Sequence, residues 1–160
     1  MPVDAFLKID NIDGESEDKA FPKHIEVLSY SWGANQTGTF QFGGGGGAGK
    51  VSFNSFNFSK RLDRASSDLF LHCCNGKHIG KALLILRKAG GEQRPYLKVE
   101  FSDLLIDSQN FNGSGDTEIP MESITFNFGK MKFSYGTQDA KGNITGWIDK
   151  MWDLKKNTGQ

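Results

Sequence analysis

Gly43-Gly44-Gly45-Gly46-Gly47-Ala48-Gly49-Lys50, running directly into Val51-Ser52-Phe53-Asn54-Ser55-Phe56-Asn57-Phe58, is the stretch on which the fold turns. Gly44 to Lys50 has the G-x-x-x-x-G-K spacing of a phosphate-binding loop. The next residue, Val51, lacks the hydroxyl that such a loop needs to hold Mg²⁺. Val51 to Phe58 reads as a strand, whereas a phosphate cradle requires the positive N-terminal end of a helix at that point. A glycine run between two strands is instead a long connection, able to lie backbone against backbone on a neighbour. The loop makes contacts, not chemistry.

Outward from that loop, the chain reads as strands separated by turns. Of 160 residues, 13 are Phe and 20 are Gly. Phe suits half-buried pleated positions and Gly suits turns and bulges, so the two excesses together predict a mainly β fold. The length predicts one domain over residues 1–160, large enough to bury a core without staples. Lys plus Arg equals Asp plus Glu at 19 each, which gives no overall pull toward nucleic acid or an anionic membrane. Met1 to Asp10 has neither a basic start nor an apolar run, so no secretory signal is expected. No stretch approaches the roughly 18 apolar residues that cross a bilayer.

Strands are expected over Ala5–Ile9, His24–Gly33 and Lys50–Arg61, with a hairpin made of Gly80–Ala89 and Tyr96–Ile106 around Lys88-Ala89-Gly90-Gly91-Glu92. The third strand changes phase: Val51 and Phe53 share one face, Phe56 and Phe58 the other. One extra residue near Asn54 or Ser55 accounts for that. The shift recurs at Gly129, between Ile124, Phe126, Phe128 and Met131, Phe133, Tyr135. Long strands that exchange faces point to a closed β-barrel of two curved sheets. One helix interrupts them, with Ser66 as N-cap, Asp68 in the first turn, Leu69 and Cys73 on one face, and a left-handed stop at Asn75-Gly76. The tail holding Trp147, Met151, Trp152 and Leu154 fits a strand or a short helix.

Other chemistries find little support. His72, Cys73 and Cys74 point about 100° apart on a helix and cannot converge with His78 on one ion, so no metal is expected. The acidic run Asp10–Asp18 fails the calcium-loop pattern, because Lys8 and Ile9 stand where oxygen ligands belong, and reads as a solvated turn. Adjacent Cys73 and Cys74 cannot staple distant parts of the fold and read as reduced thiols. His24, His72 and His78 lack any nucleophile signature beside them, so no catalytic residue and no cofactor is assigned. Tyr30, Trp32 and Phe40 read as core or subunit contact, since no basic stripe accompanies them. Composition and motif leave two further readings: a monomeric barrel carrying a small apolar ligand, and a nucleotide enzyme using the glycine loop.

Several ordered segments carry a resemblance: Phe6-Leu7-Lys8-Ile9, Gly14-Glu15-Ser16 with Asp18, His24-Ile25-Glu26-Val27-Leu28, Ser31-Trp32-Gly33, and the run Gly43–Lys50. Lys60, Asp63, Cys73, Gly76-Lys77-His78, Leu86-Arg87-Lys88-Ala89-Gly90-Gly91 and the strand Ile124–Phe128 continue it. Together they resemble the haemolysin-coregulated protein (Hcp) family, the tube protein of bacterial type VI secretion systems. Ser67 departs from it, standing where many relatives carry a helix-opening Pro, and Asp149–Gln160 matches less closely. The resemblance implies a β-barrel with one flanking helix, a hexameric ring with a wide pore, and stacking of rings into a tube expelled from the cell. It also implies effector proteins in the lumen, with tip-spike and sheath proteins as further partners. On this expectation Gly43, Gly44, Gly45, Gly46, Gly47, Ala48, Gly49 and Lys50 make ring or stacking contacts. Asn112, Gly113, Ser114 and Gly115 face the lumen. The protein is then assembled in the cytoplasm and leaves it folded, without a cleaved signal.

Overall fold

A computed structural model describes residues 3–38 and 48–160. In chain order the elements are β1 (Val3–Ile9), β2 (Ile25–Glu26), β3 (Ser29–Ser31), β4 (Ala34–Gly38), β5 (Ala48–Phe53) and β6 (Phe56–Arg61). Then come α1 (Ala65–Asn75), β7 (Ile79–Lys88), β8 (Pro95–Asn112), β9 (Met121–Gln138), β10 (Ile144–Asp153) and β11 (Thr158–Gly159). The fold is mainly β with one helix, as the Phe and Gly counts lead one to expect.

The pairing differs from two curved sheets. Among the described residues one nine-stranded sheet runs β11-β10-β9-β8-β7-β1-β2, with β6 also on β9 and β3 on β6, while β4 and β5 pair only with each other. Pairing of the named strands therefore gives an open, branched path whose ends are β2, β3 and β11. The expected strand His24–Gly33 breaks between β2 and β3 at Val27 and Leu28. There the chain steps from one neighbour to another: the Val27 amide donates to the Ala5 carbonyl (2.9 Å) and the Leu28 amide to the Ser59 carbonyl (2.8 Å).

The phase change at Asn54–Ser55 is likewise a break, separating β5 from β6, and not a bulge inside one strand. The Asn54 amide bonds the Gly33 carbonyl at 2.8 Å, which turns the chain out of β5. The second phase change, at Gly129, stays within one 18-residue strand. Its partner β8 flips at the opposing position, Asp103, which adopts φ 58°. A Cβ on residue 129 would lie 3.3 Å from the Asp103 Cβ and 3.2 Å from the Lys155 Cε, so glycine lets the two strands kink together. A separate register shift falls between Ile106 and Ser108.

Alternation buries Phe56 and Phe58 from β6, Phe101 from β8 and Phe126 from β9, all without exposed surface. Their ring centroids lie 4.8–5.1 Å apart for the three pairs among Phe56, Phe101 and Phe126, so rings fill the centre against one another. Leu7, Ile9, Leu84 and Leu104 complete this core.

The helix begins one residue earlier than its expected cap. Arg64 holds the cap position with no side-chain bond, and Ser66 lies inside the first turn. The Ser66 hydroxyl is drawn inward because Lys60, completely buried on β6, needs it. Lys60 Nζ donates to Asp63 Oδ1 (2.6 Å) and Ser66 Oγ (3.0 Å), and pairs with Glu122 at 3.2 Å. Ser66 Oγ in turn donates to Glu122 Oε2 at 2.7 Å. Asp63 and Glu15 accept the amides of Ala65 and Arg64 instead, doing the capping that Ser66 does not. Gly76 closes the helix at φ 63°, as Asn75-Gly76 predicts.

Asp10–Asp18 is no free solvated turn. Ile12 is fully buried, Lys8 pairs with Asp13 at 2.5 Å, and Asp18 reaches the guanidinium of Arg87 on β7. That guanidinium also binds Asp4 at 3.1 Å and lies over the rings of Phe6 (5.0 Å) and Phe21 (5.4 Å). The segment is thus stitched to β1 and β7 by one buried arginine.

Candidate assembly surfaces

The two stretches expected to make contacts fall in different places. Gly43–Gly47 lies outside the described residues, as does Phe40. Ala48, Gly49 and Lys50 open β5, whose partner residues on β4 run from Ala34↔Phe53 to Gly38↔Ala48. The base of this hairpin rests on β9, with Phe53 against Phe128 at 5.7 Å and Trp32 against Phe133 at 6.0 Å. Asn112 ends β8 opposite Met121, and Gly113–Gly115 begins the connection into β9. All four of these residues are exposed. Ser114 is engaged locally, its Oγ 3.2 Å from Thr117 Oγ1 and its carbonyl accepting the Thr117 amide.

A third surface is not evident from the sequence. In the second half of β9, Phe133 and Tyr135 face out of the core, although their alternation reads as a core stripe. Cross-strand register sets Leu97, Tyr135 and Ile148 in one row. Trp147 lies on the opposite face, where the Lys98 ammonium sits 4.8 Å from its ring. Tyr30 and Tyr135 lie close enough to Tyr96 to add to the effect of burial, which comes first, in pushing that phenol up. Thr145 to Lys150 of β10 are all exposed, including Ile148 at 53% and Trp147 at 40%. Sequence alternation cannot reveal this, because it says which residues share a face and not whether the core extends beneath them. The helix shows a second exposed pair, Phe70 and Leu71, and here a signal existed: both fall off the Leu69–Cys73 face.

The histidines face unrelated neighbours. His24 edges onto the Phe21 ring (5.3 Å), His72 Nδ1 lies 2.7 Å from the Asp68 carbonyl, and His78 borders a cleft with Asp103 and Leu154. Among the described residues no three His, Cys, Asp or Glu side chains are grouped to hold a metal. The charged residues with perturbed protonation are structural. Hydrogen bonds from Arg87 hold the Asp18 carboxyl below its ordinary value, and Lys8 does the same for Asp13. A hairpin base packed on β9, a polar connection and an exposed aromatic wing are surfaces of the kind that bind other chains.

Residues 6–135 match the family model described as "Type VI secretion system effector, Hcp". This chain belongs to the Hcp family. Its similarity to Protein hcp1 of Pseudomonas aeruginosa is 40% identity over 159 residues, covering 98% of each chain. Hcp1 from Salmonella typhimurium is 39% identical across the whole of both chains, with a TM-score of 0.84. A type VI secretion system effector from Yersinia pestis is 35% identical, covers 94% of this chain and 99% of its own, and has a TM-score of 0.77. Membership makes this chain a secreted component of a type VI secretion tube, built by self-association. Among the described residues no helix is long and apolar enough to cross a membrane.

Proposed function

We propose that the chain is a single 1–160 domain that closes into a hexameric ring, and that such rings stack into the tube and carry effector proteins in their lumen. The observation that carries this reading is the wing of β9 and β10, where Phe133, Tyr135 and Ile148 stand exposed on one face and Trp147 on the other. Exposed apolar patches of this kind mark surfaces that associate. A heterologous contact that closes makes a ring, and a second that does not close makes a filament of rings. The barrel is completed, on this reading, through the Val27–Leu28 step, which joins β2 on β1 to β3 on β6. The Phe rings packed against one another at the centre favour a structural subunit over a small-ligand carrier, and the role proposed is not enzymatic.

Gly43–Gly47 with Ala48–Lys50 supplies ring or stacking contacts, and Asn112–Gly115 lines the lumen. Tip-spike and sheath proteins are the further partners, with no role for nucleic acid or membrane insertion. The protein is made in the cytoplasm and ejected folded, with Phe6, Leu7 and Ile9 retained in β1. Mass spectrometry of culture medium should find the intact chain, apart from Met1, and find none when the contractile apparatus is disabled. Release without the apparatus, or a chain starting inside β1, contradicts the route. Deleting Gly43–Gly47 should leave cooperative unfolding while weakening assembly; an unfolded deletion would place the loop in the core. Ser114→Gln should spare the ring and block cargo, and cargo retention would remove Ser114 from the lumen.

A further inference from the structure

The helix carries one pattern twice. Ser66, Leu69 and Cys73 stand at the spacing of one face, and Ser67, Phe70 and Cys74 repeat that order of polar, apolar and thiol side chains one residue later. Adjacent residues point about 100° apart on a helix, so the two stripes are neighbouring faces. Leu71 flanks the second stripe and completes the i, i+3, i+4, i+7 pattern of a face turned to a core. The first stripe offers one large apolar side chain and the second offers two. By apolar content the second belongs inside. The structure buries the first: Ala65, Ser66 and Leu69 are buried, while Phe70 and Leu71 stand 58% and 55% exposed.

Polar contacts at the start of α1 account for the choice. Asp63 and Ser66 exchange bonds there: the Asp63 amide donates to Ser66 Oγ and the Ser66 amide to the Asp63 carbonyl, both at 3.1 Å. Reciprocal bonds of this kind fix which residue opens a helix. Lys60 on β6 donates to both side chains, and Glu122 on β9 accepts the Ser66 hydroxyl. From β8, Gln109 Nε2 donates to the Ser66 carbonyl at 3.1 Å. Strands β6, β8 and β9 thus all hold the residue that begins the first stripe. A helix turned by one residue would carry the Ser66 hydroxyl away from Lys60 and Glu122, both sealed from solvent, and break the exchange with Asp63.

We infer that the buried cluster of Lys60, Asp63, Ser66 and Glu122 is a register lock for α1, selecting the Leu69 face over the Phe70 face and holding Phe70 and Leu71 at the surface. Buried charged networks add little stability over apolar groups of the same volume, and some of them fix one arrangement among several. A helix of 11 residues cannot hold its place by propensity, so its docking contacts decide its register. The lock belongs to a single chain and stands whether or not copies associate.

The adjacent thiols report the register. Cys74 is exposed and Cys73 half-buried, and a turn of the helix by one residue puts Cys74 where Cys73 lies. Alkylation of the folded protein by iodoacetamide is followed in two backgrounds, Cys73→Ser and Cys74→Ser, each keeping one thiol. With the lock intact, Cys74 should react several-fold faster than Cys73. In a Lys60→Met, Ser66→Ala, Glu122→Leu variant, apolar groups replace the cluster, and the ratio of rates should fall toward about one as both registers fill. Leu69→Ala removes the apolar anchor and leaves the cluster, so it should melt at a lower temperature and keep the wild-type ratio. A triple variant that keeps the wild-type ratio, or a Leu69→Ala ratio that falls toward one, would show that apolar packing sets the register and overturn the lock. Should the triple variant fail to fold, the Leu69→Ala ratio decides alone.

Discussion

The two halves of β9 use the same kinds of residue to opposite ends. From Met121 to Phe128, Ile124, Phe126 and Phe128 are buried by β6 and β8. From Lys130 to Gln138, Phe133 and Tyr135 are exposed at 36% and 46%, while the small Ser134 is buried. Gly129 and Asp103 mark the change: both strands kink there, and beyond it Met131 is the last large side chain of β9 held in the core. Hydrophobicity in the first half is buried within the chain; in the second, Trp32 meets Phe133 only in part and Tyr135 stays nearly half exposed. The contrast separates folding from assembly along a single strand.

The sharpest way to break that separation is Phe126→Ala. Its ring packs against Phe56, Phe58 and Phe101, so the loss should be about 3–5 kcal/mol in urea unfolding. A cost below about 1 kcal/mol would mean the core collapses freely around the hole. Next comes Glu122→Leu, which removes one carboxylate from the buried Lys60 and leaves Asp63 as its remaining anion. Breaking such a pair should cost about 3 kcal/mol, and an unchanged melting curve would show that Asp63 alone suffices.

Smaller and dependent on pH is Asp18. Its folded carboxyl is lowered, first by the hydrogen bond from Arg87, so its contribution is present above the unfolded carboxylate value of about 4. That contribution is lost as pH falls through the lower folded value. Asp18→Asn should therefore melt at lower temperature than wild type at pH 7, with the gap closing toward pH 2. A gap independent of pH would assign the effect to packing. Smallest is Ile148→Ser, at a residue 53% exposed. Monomer stability should move by no more than about 0.5 kcal/mol while assembly weakens. Equal loss of both would place Ile148 in the core and erase the distinction between the two halves.

Much of the fold was legible in the sequence because it rests on local rules. The β7–β8 hairpin, the Asn75-Gly76 stop and the face changes near Asn54 and Gly129 are all set by alternation or by turn residues. What was hidden is long-range. Ser66 looks like a cap until Lys60 and Glu122, brought beside it by β6 and β9, claim its hydroxyl. The acidic turn looks solvated until Arg87, far along the chain, binds Asp18. Phe133 and Tyr135 look like core because a period of two does not show where the core stops. Of the surfaces proposed for assembly, the glycine run is conspicuous in sequence, whereas the exposed stretch Thr145–Lys150 of β10 depends on where the core stops once the sheet is built.

The native mass of the purified protein in solution tests the assembly claim most directly. An exposed wing that exists for self-association should give a particle several times the 17.7 kDa of one chain, and Ile148→Ser should shift it toward the single chain. A wild type that stays at the mass of one chain across working concentrations would contradict it.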